Sequence, residues 1–460
     1  MNLFHRELLE IADQKVEFFG DSAILNAAAA GFSINSLTIL PGEIFIAIKG
    51  ERFDGHQFVA DVMNKGNRTV VVTAEWYRNQ GKDLPPGNYF VVADTLAALQ
   101  NIGSYYRRKF NIPVIALTGS NGKTTTKEMI AAVLQKKYKV LKNSGNLNNH
   151  IGVPLTLFNL TAEHELVVLE MGTNHFGEIK KLAEIAGPEY GLITNIGPAH
   201  LEFFGSLKGV FKAKRELWDY LEEHGKIAFI NLDDPYLASN LPGVNRLISF
   251  AMEKTADFRA RLKNIDELGR ASFQVEDTEI RLKIIGVHNV YNALAAFAVG
   301  RLFGVETAAI QQALQEFEPA DKRMQVIETK GIRIVNDCYN SNSASAKKAL
   351  LTLSQMKTRG KRISVLGDML ELGQWSENEH RKVGEFIASL KTIDYLLTYG
   401  EKSRETAAAA ESGGAIKVKH CETKDELISF LISIIEPGDL LLIKGSRGMA
   451  MEEITKALTK

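Results

Sequence analysis

Short apolar runs alternate with amphipathic stretches through the middle of the chain. Runs typical of buried strands occupy Val114–Leu117, Leu166–Glu170, Tyr190–Asn195 and Ile227–Asn231. Helical patterns fill 125–137, 176–186, 206–223 and 290–303. Strands that alternate with helices at this spacing are typical of βαβ units on a parallel sheet. The pattern therefore predicts a central parallel-sheet α/β domain over residues 111–318.

Similar patterns flank this domain on both sides. On its N-terminal side, strands are predicted at 37–40, 44–48, 69–73 and 89–92, with a turn at Pro41-Gly42 and helices at 58–65 and 95–108. Asp94 is placed to cap the second of these helices. On the C-terminal side, strands are predicted at 332–336, 362–367, 395–399 and 440–444, with helices between them. We predict a small mixed α/β domain over 1–110 and a C-terminal Rossmann-like α/β domain over 319–460.

Composition supports a protein of several globular domains. The chain has 460 residues, of which 45% are hydrophobic, and a formal net charge of zero. This length usually forms about three domains, and a neutral chain does not favour nucleic acid or an anionic membrane as a partner. Two cysteines, no signal-peptide pattern and no apolar run near the roughly 20 residues that span a bilayer suit a reducing cytoplasm. We expect a cytoplasmic protein without nucleic-acid partners or membrane insertion.

A glycine-containing turn lies between the strand at 114–117 and the helix that follows it. It runs Thr118-Gly119-Ser120-Asn121-Gly122-Lys123-Thr124-Thr125 and contains the Gly-Lys-Thr triple of phosphate-binding loops. Glycines let main-chain N–H groups approach a polyphosphate, while the lysine can reach the β- and γ-phosphates and the first threonine can ligate Mg²⁺. Leu117 occupies the position of the usual first glycine, so this is a shortened variant of the loop. We predict a P-loop ATPase domain; the alternative is a turn that binds nothing.

Polar residues elsewhere in the domain are candidates for the same site. Glu170 ends one strand and His200 follows the next, so both would reach one edge of the sheet, where Mg²⁺ or phosphate needs ligands. A solvent-facing glutamate and a structural histidine are the alternatives. Asn289 and Asn292 lie one helical turn apart and can bind an adenine edge or cap the helix. Lys214 alone would be interpreted as a solvated surface lysine.

Together these segments resemble the Mur ligases, the ATP-dependent amino-acid ligases of peptidoglycan precursor synthesis. The resemblance is carried by Thr118–Thr125, Glu170-Met-Gly, Thr194-Asn-Ile-Gly-Pro-Ala-His200, Ala213-Lys214 and His288-Asn289-Val-Tyr-Asn292-Ala. Further matches are Gly145-Asn146-Leu-Asn148-Asn149, Val365-Leu-Gly367-Asp368-Met369-Leu-Glu371-Leu-Gly373 and Lys444-Gly445-Ser446-Arg447-Gly. These narrow the implied activity to the addition of D-Ala-D-Ala to UDP-N-acetylmuramoyl (UDP-MurNAc) tripeptide. The resemblance covers all three predicted domains in the family order.

The resemblance also implies cofactors, partners and residue roles. ATP would phosphorylate the C-terminal carboxylate of UDP-MurNAc-tripeptide, and the amine of D-Ala-D-Ala would attack the acyl phosphate; Mg²⁺ would be required, and we expect a monomer. The first domain would bind the uridine diphosphate and the central domain ATP, and the C-terminal domain would contribute Arg323 and Asp337 to the ATP site. The resemblance implies catalytic roles for Lys123, Glu170, His200 and Lys214. It also implies that the metal is bound by Thr124, Glu170, His200 and a carbamylated Lys214. The ATP site would comprise Gly119, Ser120, Asn121, Gly122, Lys123, Thr124, Thr125, Asn289, Asn292, Arg323 and Asp337. Substrate contacts would come from Ser36, Asn146, Asn148, Asn149, Tyr339, Asn340, Asn342, Asp368 and Glu371.

Two positions depart from the family pattern. Asn35-Ser36-Leu37 stands where Asp-Ser-Arg is usual, and this removes a cationic partner for the uridine diphosphate. Ser343 stands where a proline is common. Two other interpretations are a folylpolyglutamate synthase, built on the same ATP domain, and a non-catalytic nucleotide-binding protein, suggested by Leu37. The stretch from Asp368 to Gly373 disfavours the first, and the intact set of catalytic candidates disfavours the second.

Overall fold

Three β-sheets follow one another along the chain in the structure, which is a computed structural model. The structure describes residues 1–11, 14–50, 53–80, 83–319, 321–414 and 416–459. The sheets occupy residues 17–92, 114–285 and 325–444, one in each of the three predicted domains. The domain boundaries at 110 and 318 stay predictions. No helix in the described ranges is both long enough and apolar enough to cross a bilayer.

The first sheet has the order β1-β5-β4-β3-β2, with β1 antiparallel and the other strands parallel. Its strands are β1 (Glu17–Phe19), β2 (Gly31–Ser33), β3 (Glu43–Ile46), β4 (Thr69–Thr73) and β5 (Asn88–Val92). Its helices are α1 (Val59–Asn64), α2 (Ala74–Gln80) and α3 (Thr95–Arg108). Asp94 caps α3 as predicted, because its carboxylate accepts the N–H groups of Leu96 and Ala97.

The strand predicted at 37–40 is wrong. Asn35 closes a turn there instead: its side chain accepts the N–H of Leu37 at 2.9 Å, and its carbonyl accepts the N–H of Ile39 at 3.1 Å. Leu37 is 85% exposed, so this apolar run has no partner surface that would hold it as a strand. Local hydrogen bonds of an asparagine therefore outweigh the apolar pattern at this point.

The central sheet has nine strands in the order β14-β13-β12-β11-β10-β9-β6-β8-β7. Its strands are β6 (Val114–Thr118), β7 (Val140–Lys142), β8 (Leu166–Glu170), β9 (Tyr190–Ile193), β10 (Ile227–Asn231), β11 (Arg246–Ala251), β12 (Phe258–Ile265), β13 (Arg270–Val275) and β14 (Thr278–Ile285). Its helices are α4 (Lys123–Leu134), α5 (Gly152–Leu157), α6 (Glu178–Ala186), α7 (Leu201–Phe204), α8 (Leu207–Glu223), α9 (Pro235–Ala238), α10 (His288–Leu302) and α11 (Thr307–Glu316).

The parallel arrangement predicted for this domain holds from β7 through β12, but β12, β13 and β14 form an antiparallel meander at one end of the sheet. This meander was not predicted from the sequence. Its strands alternate buried and exposed positions, as in Arg270–Val275, which is the pattern of strands with one solvated face.

The third sheet has the order β15-β16-β20-β17-β18-β19 and is parallel except for β15. Its strands are β15 (Gln325–Thr329), β16 (Ile332–Asp337), β17 (Arg362–Gly367), β18 (Tyr395–Tyr399), β19 (Lys417–Cys421) and β20 (Leu440–Lys444). Its helices are α12 (Ser343–Gln355), α13 (Ser376–Leu390), α14 (Arg404–Ser412), α15 (Lys424–Ile434) and α16 (Glu452–Thr459). Ser343, where the family often has a proline, is the first residue of α12, a position that suits either residue.

The first and central domains share one continuous apolar core. Helix α3 packs on α5 and α6, the rings of Phe32 and Phe158 stack at 4.5 Å, and the Tyr106 hydroxyl donates to the carbonyl of Leu160 at 2.7 Å. The C-terminal domain instead packs on α7 and α8 of the central domain, where Leu201 and Phe204 join its core. An open cleft lies between these last two domains, at the carboxyl ends of the central strands.

Candidate functional site

The turn after β6 has the conformation that a phosphate-binding loop needs. Gly119 and Gly122 have φ angles of +145° and +80°, which side chains with a Cβ rarely adopt. A Cβ on Gly122 would lie 2.7 Å from the Oδ1 atom of Asn292. Helix α4 begins directly at Lys123, whose ammonium donates to the carbonyl of Gly119 at 2.9 Å. The turn therefore presents a helix N-terminus and a lysine to the cleft, an arrangement suited to phosphate.

The loop after β9 holds this turn in place through hydrogen bonds. Ser120 donates its N–H to the Asn195 carbonyl at 2.9 Å, and Asn121 donates its own to the Asn195 side chain at 3.1 Å. The Thr194 hydroxyl donates to the carbonyl of Asn121 at 2.7 Å. No role was predicted for Thr194 or Asn195. Their position at the end of a strand beside β6 was a usable signal, because adjacent parallel strands end at one sheet edge.

Glu170 lies where a cation would meet the phosphate loop. It ends β8, the neighbour of β6, and is only 3% exposed. The Thr124 hydroxyl donates to its Oε2 at 2.7 Å, and the Asn148 amide donates to its Oε1 at 2.8 Å. The ammonium of Lys123 is close enough for the carboxylate to raise its pKa, although burial lowers that pKa more. A hydroxyl and a carboxylate at this separation are the hard oxygen donors that fit Mg²⁺.

Lys214 is buried rather than solvated, so the interpretation from its local sequence is wrong. It lies on α8, is 1% exposed, and has no ion-pair or hydrogen-bond partner among the described residues. Burial, with the nearby charge of Lys123, lowers the pKa of Lys214 well below its ordinary value. The lowered pKa favours the neutral, nucleophilic amine, which is the form that reacts with CO₂ to give a carbamate.

His200 and Glu371 meet across the boundary between the central and C-terminal domains. Their Nδ1 and Oε2 atoms are 2.5 Å apart, an ion-pair distance, although the ring N–H is not aligned for a hydrogen bond. The contact holds the pKa of Glu371 below its usual value. The Nε2 atom of His200 remains available to a ligand of the cleft.

The two asparagines of α10 do not cap the helix. Asn292 donates to Asn289 at 2.8 Å and accepts from the Thr126 hydroxyl at 3.0 Å, while Asn289 donates to the carbonyl of Ile285. The N-cap residue is Val287, and it receives no side-chain hydrogen bond. The capping alternative is therefore wrong, and both amides lie in the wall of the cleft beside the phosphate loop.

The C-terminal domain contributes the opposite wall. Arg323 donates to the Thr124 hydroxyl at 2.9 Å, and Asn342 donates to the side chain of Asn121 at 2.9 Å. The guanidinium of Arg323 lies 3.8 Å from the centre of the Tyr339 ring. Asp337 accepts from the ammonium of Lys444 at 2.6 Å and from the N–H of Met324 at 3.1 Å. Two side chains of this domain therefore touch the phosphate loop directly.

Most of the predicted site residues line one cleft of about 790 Å³. Residues that do so are Ser120, Asn121, Gly122, Lys123, Thr124, Thr125, Asn146, Asn148, Asn149, Glu170, His200, Asn289, Asn292, Arg323, Asp337, Tyr339, Asn340, Asn342 and Glu371. Four do not. Ser36 belongs to the first domain, and Lys214 is buried. Gly119 uses its carbonyl to accept the hydrogen bond from Lys123. The carboxylate of Asp368 instead accepts the N–H groups of Lys402 and Ser403.

Other residues that line the cleft were not predicted, among them Asp233, His288, Tyr291, Lys348 and Arg447. Asp233 follows β10 and accepts from the Tyr291 hydroxyl at 2.9 Å, so the strand-end rule that found Glu170 could also have found it. Arg447 lay in a quoted motif, but nothing in its local sequence gave it a role. Lys348 reaches the cleft only because the domains are packed as they are.

Comparisons with known proteins agree with this arrangement. The model of the Mur ligase middle domain matches residues 117–300, and that of the Mur ligase, glutamate ligase domain matches residues 322–447. The UDP-N-acetylmuramoyl-tripeptide–D-alanyl-D-alanine ligase of Bacillus subtilis (strain 168) is 38% identical, and the match covers 90% of each chain. The protein of the same name from Escherichia coli (strain K12) is 37% identical over 91% of each chain.

Solved structures resemble the whole chain as well. Crystal structure I of MurF from Acinetobacter baumannii superimposes with a TM-score of 0.88 at 32% identity, covering 99% of this chain and 98% of that one. MurF ligase from Thermotoga maritima, solved in complex with ADP, has a TM-score of 0.81 at 27% identity, covering 93% of this chain and 97% of that one. All three domains thus have counterparts in these structures.

Proposed function

The chain belongs to the Mur ligase family, and we propose that it adds D-Ala-D-Ala to UDP-N-acetylmuramoyl-tripeptide in peptidoglycan synthesis, with hydrolysis of ATP to ADP and phosphate. The observation that carries the proposal is the junction at Thr124. Its hydroxyl contacts Glu170 of the central domain and Arg323 of the C-terminal domain, each within 2.9 Å. A nucleotide on the phosphate loop would therefore bring its terminal phosphate to the point where the two domains meet.

The reaction joins an anionic carboxylate to an amine, and these groups do not form an amide unless the carboxylate is first activated. Transfer of the γ-phosphoryl group to the tripeptide carboxylate forms an acyl phosphate and ADP. The amine of D-Ala-D-Ala then attacks the carbonyl carbon, and the tetrahedral intermediate expels phosphate as the amide forms. The physical difficulty of the first step is repulsion between the carboxylate and the triphosphate, so the site must supply positive charge where they meet.

Lys123 and Arg323 supply that charge from this chain's own residues. Lys123 projects from the start of α4, and Arg323 enters from the other domain, so the γ-phosphate is contacted from both sides only when the domains are together. Mg²⁺ held by Thr124 and Glu170 would neutralise further phosphate charge. Carbamylation would turn Lys214 into an anionic oxygen ligand, and it would hold a second Mg²⁺ together with His200.

Residues in the walls of the cleft would bind the remaining groups of the substrates. Asn289 and Asn292 lie beside the phosphate loop, where an adenine would lie, and Asp337 lies opposite them as the residue for the ribose. Asn148 and Asn149 lie next to Glu170, where the tripeptide carboxylate must arrive. The first domain would hold the uridine diphosphate end, with Ser36 in its binding surface. We further propose that the protein is cytoplasmic, since ATP and the nucleotide-linked substrate are cytoplasmic compounds, and that it acts as a monomer.

The experiment is an ADP-release assay with purified protein, ATP and Mg²⁺. UDP-MurNAc-tripeptides with lysine or diaminopimelate at the third position are each tested with and without D-Ala-D-Ala. ADP release that requires both the tripeptide and the dipeptide, with formation of the pentapeptide product, supports the proposal. Release with folate and glutamate instead would favour the folylpolyglutamate synthase alternative. Nucleotide binding without turnover on any of these substrates would favour the non-catalytic alternative.

A further inference from the structure

A dipeptide that attacks through its amine carries a carboxylate at its other end. That carboxylate is ionised at neutral pH, because its pKa in a free peptide lies near 3.5. Bringing it into a cleft strips part of its water and is costly unless a cation replaces the lost hydrogen bonds. The cleft should therefore hold a cation for it, distinct from the cations that contact the nucleotide.

In the described part of the chain, five lysine and arginine side chains line the cleft. Three are engaged around the phosphate loop or within the C-terminal domain. Lys123 donates to the carbonyl of Gly119, and Arg323 donates to the Thr124 hydroxyl. Lys444 is 2% exposed and pairs with Asp337 at 2.6 Å.

A fourth cation, Lys348, lies on the nucleoside side of the cleft. Burial lowers the pKa of its ammonium, and the carboxylate of Asp234 is near enough to offset part of this. The ammonium in turn helps to lower the pKa of the His288 imidazole. His288 directly precedes Asn289 on α10. The position of Lys348 thus places it with the residues proposed for the base and sugar of ATP, rather than with the incoming amine.

The fifth cation is Arg447, and its guanidinium is free. Within the described ranges it has no ion-pair or hydrogen-bond partner, and its neighbour is the Tyr339 ring, whose centre lies 5.6 Å from the guanidinium carbon. The main chain around it is fixed, because Ser446 donates its N–H to the Asp368 carbonyl and accepts the N–H of Leu370. A firmly held backbone with an unpaired arginine at the cleft surface is suited to binding a carboxylate in two parallel hydrogen bonds.

We propose that Arg447 binds the C-terminal carboxylate of the incoming D-Ala-D-Ala. This inference rests on the proposed function. The Tyr339 ring contacts both Arg447 and Arg323, whose guanidinium carbon lies 3.8 Å from the ring centre. An extended dipeptide spans about 7 Å. With its carboxylate on Arg447, its amine can lie near Arg323 and the phosphate loop.

The test compares two forms of the dipeptide in two forms of the enzyme. Initial rates are measured for D-Ala-D-Ala and for its C-terminal amide with the wild type and with Arg447→Gln, at saturating ATP and UDP-MurNAc-tripeptide. For the wild type, we expect KM for the amide to exceed that for the acid by about 30-fold, since hydrogen bonds between charged groups contribute that much. In Arg447→Gln, KM for the acid should rise by the same factor and the preference for the acid over the amide should disappear.

Controls separate a binding role from damage to the fold. KM for ATP and for the tripeptide should stay within about twofold of wild type, as should all constants of Arg261→Gln, an exposed arginine on β12. Arg447→Lys keeps the charge but loses the planar fork, so it should retain part of the preference for the acid. This second variant decides the question if Arg447→Gln does not fold.

A preference for the acid that survives unchanged in both variants would overturn the assignment of Arg447. So would an equal rise in KM for the acid and the amide, because that would indicate a structural defect rather than a lost carboxylate contact. Either result would leave the proposed function intact as long as the wild type ligates D-Ala-D-Ala. A wild type that does not use D-Ala-D-Ala at all would instead refute the proposed function.

Discussion

The Nδ1 atom of His200 lies 2.5 Å from the Oε2 atom of Glu371, and the two residues belong to different domains. Both adopt left-handed backbone conformations, with φ angles of +53° and +61°, which side chains with a Cβ seldom adopt. The N–H of Glu202 also donates to the Glu371 carbonyl at 3.1 Å, so the loop after β17 is fixed on the start of α7. Two strained residues in contact indicate that the surrounding structure enforces this junction.

We predict that Glu371 orients the His200 imidazole when the domains close. A carboxylate on one ring nitrogen fixes the ring and leaves the other nitrogen for a ligand, and loss of such a partner typically costs 10–100-fold in activity. Glu371→Ala should therefore lower kcat by about 10–100-fold. Steady-state kinetics and Mn²⁺ titration in the presence of ADP would measure the loss of turnover and of cation affinity.

The matched control for this prediction is Glu202→Ala at the same junction. Its bond to Glu371 uses the main-chain N–H, so removal of its exposed side chain should leave kcat and cation affinity near wild type. Equal effects of the two substitutions would indicate a general electrostatic or structural role for this loop and contradict the orienting role.

Lys214→Ala should lower kcat strongly and should be rescued in part by short carboxylic acids such as acetate. The reason is that the lysine amine is buried, has a lowered pKa and lies near Lys123, where a carbamate oxygen would serve as a ligand. An added carboxylate of similar size can occupy the space that the substitution opens. Activity of the variant is measured as a function of acetate concentration.

Lys212→Ala provides the comparison for Lys214, because Lys212 lies on the exposed face of the same helix. It should keep normal activity and gain nothing from acetate. If acetate leaves Lys214→Ala inactive at every concentration, while the variant still folds and binds ADP, the carbamate role is refuted.

Lys65 should supply part of the positive charge that Leu37 does not. Its ammonium donates to the Ser36 carbonyl at 2.7 Å, which brings it beside the position where the family pattern has an arginine. Lys65→Ala should raise KM for the UDP-linked substrate about fivefold, the effect of an exposed charge pair. Leu37→Arg introduced into this variant should restore KM, because Leu37 is exposed and the arginine would meet no steric barrier.

Salt dependence distinguishes this role from a change in folding. The difference in KM between wild type and Lys65→Ala should shrink as ionic strength rises, since salt screens exposed charges. Arg68→Ala, another exposed cation of the same domain, should have no such effect. A KM that is unchanged in Lys65→Ala at low salt would show that Lys65 does not supply this charge.

His288 should stay neutral throughout the pH range of activity. Burial and the charges of Lys348 and Lys444 lower its pKa to about 3. Its ring C–H resonances should therefore not shift between pH 5 and 8, and comparison with His288→Gln would assign them. An unfolded histidine takes up its proton near pH 6.5. Acidification from about pH 6.5 towards 3 thus favours the unfolded chain, whereas above pH 6.5 the full contribution of His288 to stability is present. A resonance that titrates near pH 6.5 would contradict this environment.

The sequence predicted the phosphate loop and its flanking elements well, because their signals are local. One short stretch of the chain contains the apolar strand β6, the two glycines of the turn and the helix-forming residues that follow Lys123. Glu170 and His200 were also predicted at one sheet edge, and both line the cleft. Parallel strands carry their C-terminal residues to the same edge, and this requires no knowledge of distant packing.

Features that depend on the packing of whole domains could not be predicted in this way. The contact of Arg323 with Thr124 joins residues that lie far apart in the chain, and no local pattern indicates it. The burial of Lys214 likewise results from packing around α8, whereas its own sequence is that of an amphipathic helix. Asp368 was predicted to contact the substrate because it lies in a specific motif. Its carboxylate instead accepts hydrogen bonds from a neighbouring loop and does not line the cleft.

The central claim is that the loop at Gly119–Thr125 activates a peptide carboxylate by phosphorylation before the amine attacks. Transfer of an isotope tests it most directly: UDP-MurNAc-tripeptide labelled with ¹⁸O in its C-terminal carboxylate is converted with ATP and D-Ala-D-Ala, and the released phosphate is analysed by mass spectrometry. We predict that label from the carboxylate appears in the phosphate with the wild type, and that Lys123→Ala, although folded, releases no phosphate. Unlabelled phosphate released together with the pentapeptide product would contradict the account.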